Sequence, residues 1–128
     1  MPSRFFTQAG GEVLRIEGSA PRTIYLLMEP STTQSPTFAM GTEEVDPGSE
    51  IPAHLHPDAE EIIFVYGGQG KAMVGDEEAD ISPGTGIYIP RNTLHRFINT
   101  GQEVLRLTWT FIPPGFEHQM RRMARESR

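Results

Sequence analysis

Residues 51–68 read IPAHLHPDAEEIIFVYGG. Two histidines, His54 and His56, stand one residue apart, and two adjacent glutamates, Glu60 and Glu61, follow shortly after. On an extended strand the side chains at i and i+2 share a face, so both imidazoles project together with Leu55 behind them. Pro57, Asp58 and Ala59 break the strand and let the chain turn back. A carboxylate at the start of the next strand then reaches the same place. Glu60 and Glu61 point to opposite faces, and on spacing alone either one qualifies. An HxH pair by itself is weak evidence, so the rest of the chain must supply a further ligand.

Only two other histidines exist, His95 and His118. His118 falls in a tail of helical character with no ligand-type partner near it in sequence. His95 ends GTGIYIPRNTLH (84–95), a strand, a Pro-initiated turn and a second strand, which suits a residue aimed back into a barrel. Around these segments, alternating or β-branched stretches recur at 12–18, 22–29, 37–45, 61–68, 70–75, 86–90, 94–99 and 103–112. Glycine- and proline-rich turns separate them, and many short strands so spaced predict an antiparallel sandwich or barrel. In EVLRLTWTFI (103–112), Leu105, Leu107, Trp109 and Phe111 share one bulky face that should point inward, Trp109 serving as core filler or as a cavity wall. Only the tail GFEHQMRRMARE carries a helical stripe, with Phe116, Met120, Met123 and Ala124 on one side, destined for the barrel or a neighbouring subunit.

The chain has 128 residues, enough for one domain spanning 1–128. It lacks cysteine, which removes disulfides, thiolate nucleophiles and cysteine-based zinc sites. A net charge of −6 argues against nucleic acid as a partner, since phosphate binding needs a positive surface. No apolar run has the length of a membrane span or a signal peptide, so the expectation is a cytoplasmic protein without a membrane partner.

Two motifs now resemble the cupin superfamily. Its first reads G(x)5HxH(x)3–4E(x)6G, matched over 48–68 by Gly48, His54, His56, a glutamate and a glycine. The family commonly continues G-x-G, which only Gly68-Gln69-Gly70 provides, and this selects Glu61 over Glu60. Its second reads G(x)5PxG(x)2H(x)3N, matched over 84–99 by Gly84, Pro90, His95 and Asn99. Asn92 stands where the family has glycine, a mild departure because asparagine tolerates the left-handed conformation. The resemblance implies an all-β, antiparallel double-stranded β-helix or jelly-roll barrel with a short C-terminal helix. It also implies one divalent transition metal per chain, held by His54, His56, Glu61 and His95.

Three imidazoles and one carboxylate suit Mn, Fe, Co, Ni, Cu or Zn and disfavour Ca or Mg. About one positive charge then remains inside an apolar barrel, which attracts oxygen anions and carbonyls of a small-molecule substrate. Dioxygenase chemistry and Lewis-acid lyase, isomerase or cyclase chemistry both follow; the alternative is a cupin that binds an organic acid or sugar without turnover. Candidate acid–base residues are Tyr25, Tyr88 and Glu50, the last by parity with His54. Candidate pocket walls are Ile63, Phe97, Trp109, Phe111 and Met40. Many cupins are dimers, so a homodimer is expected, with Phe116 and Met120 as candidate contacts.

Overall fold

The computed structural model describes residues 4–128; of the single domain expected over 1–128, residues 1–3 lie outside the described residues. The described residues fold into ten strands and two helices, all strand pairings being antiparallel. The strands are β1 (Glu12–Ile16), β2 (Arg22–Met28), β3 (Ala39–Val45), β4 (Glu50–His54) and β5 (Glu60–Gly67), followed by β6 (Gly70–Val74), β7 (Glu77–Ile81), β8 (Gly86–Ile89), β9 (His95–Asn99) and β10 (Leu105–Ile112). A six-stranded sheet in the order β1-β2-β3-β10-β5-β8 faces a four-stranded sheet in the order β4-β9-β6-β7. This is the jelly-roll architecture the resemblance implied.

Strand β10 shows why the halves close on each other. Its inward residues Leu105, Leu107, Trp109 and Phe111 are all buried, while Arg106, Thr108, Thr110 and Ile112 face outward between β3 and β5. On β5 the same alternation buries Glu61, Ile63 and Val65 and exposes Ile62, Phe64 and Tyr66. Apolar burial of this kind stabilises a fold by ~25 cal/mol per Å2 removed from water. Trp109 needs special room. Its cross-strand partner is Gly41, and a Cβ there would sit 2.4 Å from the indole ring and 2.0 Å from the Tyr25 carbonyl oxygen.

Two elements escaped sequence reading. Helix α1 (Pro30–Thr33) is a single turn, too short to show a 3.6-residue period. Strand β7 is an edge strand with four of five residues exposed, so it has no apolar alternation to read. Helix α2 (Phe116–Glu126) forms as expected, and of the two surfaces open to its stripe it packs on its own barrel. Met120 and Ala124 are buried with Leu14, Ile16, Ile24 and Leu26, which takes Met120 out of the dimer contact assigned to it. No helix among the described residues is long and apolar enough to cross a membrane.

Candidate metal centre

The two motifs meet where β4 pairs with β9. His54, the last residue of β4, lies directly opposite His95, the first of β9. An irregularity between Ile51 and His54 changes the parity of β4. Ile51 points inward against Phe97, yet His54 three residues later also turns in toward His95. Bulges re-aim side chains in this way. The same irregularity corrects the reading of Glu50, whose parity with His54 is broken. Its carboxylate turns outward and accepts two hydrogen bonds from Arg96, at 3.0 and 2.7 Å.

The turns carrying the motifs are tied to each other. The Asn92 backbone N–H donates to the His56 carbonyl at 2.8 Å, and the Arg91 guanidinium donates to the Asp58 carbonyl. Asn92 adopts φ 58°, the left-handed conformation that explains why asparagine replaces glycine here. Asn99 has a different task. Its buried amide donates to the Val45 and Glu103 carbonyls, each at 2.9 Å, and its side-chain oxygen accepts from the Gly101 N–H. It is a loop clamp rather than a ligand.

The structure brings His54, His56, Glu61 and His95 together, with one potential ligand atom from each lying within 4.8 Å of the others. Glu61 reaches in from the opposite sheet, its Oε1 lying 3.1 Å from His56 Nε2 and 3.2 Å from His95 Nε2. Glu60 points outward and accepts a hydrogen bond from the Tyr88 hydroxyl. The outer shell orients two of the imidazoles. His54 Nδ1 lies 2.8 Å from the Pro52 carbonyl oxygen and His95 Nδ1 lies 2.8 Å from the Thr93 carbonyl oxygen. A carbonyl can only accept, so each Nδ1 carries a proton, and in the neutral ring each Nε2 presents a lone pair.

That assignment tests whether a cation fits. His95 Nε2 is buried and has no hydrogen-bond partner among the described residues, although Glu61 Oε1 stands 3.2 Å away. Two electron-rich atoms at that separation need positive charge between them, and the group as a whole is capable of binding a metal ion. The electrostatics agree. Burial drives His54 down to about 4, aided by repulsion from His95 and His56, so this ring stays neutral. Burial pushes the Glu61 carboxyl up, but the His56 ring in hydrogen-bond contact and the adjacent His95 ring outweigh it and hold it below its ordinary range. Neutral imidazoles and an ionised carboxylate are the forms that ligate.

A cavity of about 210 Å3 opens beside these donors, with His54 and Glu61 in its wall. That is smaller than the ~300–1,000 Å3 typical of drug-sized ligand pockets. Ile63, Phe97 and Phe111 line it, and Phe116, Met120 and Met123 of α2 close one side. Phe116 stacks on His54 with ring centroids 5.7 Å apart and meets His56 edge-on at 4.1 Å. Two pocket assignments are corrected. Trp109 is filled in behind Gly41, its Nε1 donating to the Thr42 carbonyl, and lies outside the cavity lining. Met40 pairs with Thr110 on the outer face of β3. Tyr25 and Tyr88 also point outward, their hydroxyls donating to Glu44 and Glu60.

Sequence reasoning missed two charged residues in the cavity wall, Arg22 and Glu43. Arg22 Nε donates to Glu43 Oε2 at 3.0 Å, and both side chains are about 95% buried, with 6% and 5% of their surface exposed. The signal was present. Arg22 sits on the parity of Ile24 and Leu26 in β2, and Glu43 on that of Ala39 and Val45 in β3, so each interrupts an apolar face. Burial pushes Glu43 up to about 7, with Arg22 opposing and Glu61 reinforcing the rise.

A jelly-roll barrel carrying a three-histidine, one-glutamate group at the mouth of an apolar cavity defines a class of small β-barrel proteins. Residues 41–111 match the cupin domain family, and the chain belongs to it. It is 34% identical over 87 residues to protein SchB of Streptomyces halstedii, covering 68% of this chain and 63% of that protein. It is 31% identical over 87 residues to polyketide synthase CurC of Streptomyces cyaneus, covering 68% and 56%. The chain thus spans about three fifths of the length of these relatives. A crystal structure described as a predicted oxalate decarboxylase from Thermotoga maritima superposes with a TM-score of 0.77 at 18% identity, over 86% of this chain and 99% of that one. That likeness speaks for the fold alone.

Proposed function

We propose that the protein is a metal-dependent Lewis-acid enzyme acting on a small carbonyl-bearing substrate, in an isomerase, lyase or cyclase type of reaction. The observation that carries this reading is the placement of His54 and Glu61 in the wall of a cavity that is apolar apart from them and the Arg22–Glu43 pair. His54, His56, Glu61 and His95 would hold a divalent ion, which would polarise a carbonyl oxygen when bound. The chain does the rest. Phe97, Phe111 and Phe116 exclude water, which strengthens every electrostatic contact in the cavity. The relative named as a polyketide synthase supports a substrate with several carbonyl groups.

Two other readings have an observation behind them. The same donor set suits redox-active iron, giving a dioxygenase. Tyr25, Tyr88 and Glu50 all point away from the cavity, which favours a module that binds an organic acid without turnover. The experiment compares zinc-loaded and iron-loaded protein, under nitrogen and in air, on small 1,3-diketones, keto acids and phenols, following substrate loss and deuterium incorporation from heavy water. The Lewis-acid reading expects turnover with zinc under nitrogen. Turnover confined to iron in air replaces it with the dioxygenase, and saturable binding without turnover in any arm replaces it with the binding module.

The partner proposed is a second copy of the chain. Support comes from Ile62, Phe64, Tyr66 and Tyr88, exposed side chains on neighbouring strands of the six-stranded sheet. An apolar patch of that kind marks association surfaces. Sedimentation should give a dimer mass, and Phe64→Glu should return it to monomer.

A further inference from the structure

The Arg22–Glu43 pair is costly to bury and has spare bonding capacity. Taking two charges out of water costs several kcal/mol per ion before their attraction offsets it, and an apolar pair of similar volume is often as stable or more so. Arg22 uses Nε on Glu43 and Nη1 on the Ala20 carbonyl, at 3.0 and 2.8 Å. Among the described residues, its Nη2 has no hydrogen-bond partner, and neither does Glu43 Oε1. A free donor and a free acceptor therefore belong to two bonded residues that line one cavity, whose other lining is apolar apart from His54 and Glu61.

The cavity has two polar poles. Glu43 pairs with Leu107 across one edge of β10, and Glu61 pairs with Phe111 across the other. Four residues of strand separate those positions, a backbone offset of roughly 13 Å that the long side chains shorten. Chemistry distinguishes the poles. The metal donors favour an oxygen anion or a carbonyl. At the other pole a bare carboxylate would be repelled by Glu43, and an ammonium group by Arg22. A hydroxyl satisfies both, donating to Glu43 Oε1 and accepting from Arg22 Nη2.

We propose that Arg22 and Glu43 form a hydroxyl-recognition site, so that the ligand is a ring-sized apolar molecule with an oxygen anion or carbonyl at the His54/Glu61 end and a neutral hydroxyl at the other. The proposal rests on the metal reading only for the first of those ends. A site built to hydrogen-bond a hydroxyl rejects the analogue lacking it, because buried polar groups are left unpaired.

The test titrates zinc-loaded protein calorimetrically with benzoate, 4-hydroxybenzoate and terephthalate at pH 8, above the value of about 7 to which burial raises Glu43. Metal content is measured on the same samples. Wild-type protein should bind 4-hydroxybenzoate at least about tenfold tighter than benzoate, with terephthalate weakest. In Glu43→Gln the repulsion is gone, and terephthalate should gain at least about tenfold relative to 4-hydroxybenzoate. In the double variant Arg22→Met, Glu43→Leu the hydroxyl preference should vanish while the melting temperature holds or rises. Equal binding of all three by wild-type protein, or an unchanged rank order in Glu43→Gln, overturns the proposal. Phenol and toluene are titrated in parallel into protein with and without zinc, because neither offers a carboxylate to the metal. A phenol preference that persists in protein unable to take up zinc sinks the metal reading and leaves the hydroxyl site standing. A missing preference in protein with full zinc sinks the hydroxyl site alone.

Discussion

His95 Nε2 lies 3.2 Å from Glu61 Oε1 while its Nδ1 faces the Thr93 carbonyl oxygen at 2.8 Å. The second contact fixes a proton on Nδ1, so in the neutral ring the first sets a lone pair against a carboxylate. A divalent ion between them resolves the conflict, and removing either partner should remove the ion. Protein purified without chelator should carry near-stoichiometric transition metal by elemental analysis. His54→Ala and His95→Ala should each lower occupancy by an order of magnitude or more. Glu61→Gln should do the same, and Glu60→Gln should not, because Glu60 points outward to Tyr88. Full metal retention in both histidine variants would contradict the assigned ligand set.

Metal binding should also appear as stability. An ion present at 100 times its dissociation constant adds about 2.7 kcal/mol to a protein that binds it only when folded. For a domain of this size that corresponds to a rise of roughly 10 °C in melting temperature. Adding zinc to chelated protein and scanning by calorimetry measures it. No shift in wild-type protein, or an equal shift in His95→Ala, would deny that the ion sits among these residues.

Much of this was legible from sequence, and the failures share a cause. The spacing that sets His54, His56 and His95 survives any rotation of the strands, since turns and cross-strand pairing fix it. The face on which a given residue falls does not. Parity carried Ile63, Phe97 and Phe111 correctly into the cavity, because β5, β9 and β10 keep a regular alternation through those positions. It failed at Glu50, where the irregularity in β4 intervenes within three residues. At Trp109 parity put the side chain inward, and of the two uses it left open, core filler and cavity wall, the structure takes filler, packed in the space left by Gly41. Arg22 and Glu43 were passed over because each looks like an ordinary surface charge until its strand neighbours are placed.

Gly41 is a residue whose identity the fold requires. An added Cβ would stand 2.0 Å from the Tyr25 carbonyl oxygen and 2.4 Å from the Trp109 ring, and neither backbone nor a buried indole can yield that much. Gly41→Ala should therefore cost about 3 kcal/mol or more in urea unfolding, in the range of severe overpacking. Gly84 offers the contrast. Nothing lies within 4 Å of a Cβ there, and only its φ of +98° is strained, so Gly84→Ala should cost about 1 kcal/mol. Similar costs for the two would mean that Trp109 does not pack on Gly41.

The buried pair predicts a pH effect of definite sign. Glu43 rises from 4.5 to about 7 on folding, so between those values the folded chain holds a proton that the unfolded chain has released. Its contribution to stability is present below 4.5 and is lost as pH climbs through 7. Chelated wild-type protein should lose on the order of 1–3 kcal/mol relative to Glu43→Gln between pH 5 and pH 8. Denaturant titrations of both proteins at the two pH values measure the difference. A wild-type protein that gains on Glu43→Gln over that interval would mean that Arg22 holds Glu43 ionised throughout, with attraction outweighing burial.

Phe116 opens helix α2 and stands over the imidazoles, stacked on His54 and edge-on to His56 and Phe111. Its side chain is only half-buried, so it works as a cover more than as core. Truncating it should let water and competing ligands reach the donors while leaving Met120 and Ala124 to anchor the helix in the barrel. Phe116→Ala should release zinc to a chelator at least tenfold faster, with a stability loss of about 1–3 kcal/mol, below the ~3–5 kcal/mol of a fully buried phenylalanine. Met120→Ala supplies the comparison, since it weakens the helix anchor without uncovering the histidines directly. If that variant released metal as fast as Phe116→Ala at equal loss of stability, the effect would belong to helix fraying. Faster release from Phe116→Ala alone would locate the barrier in its ring.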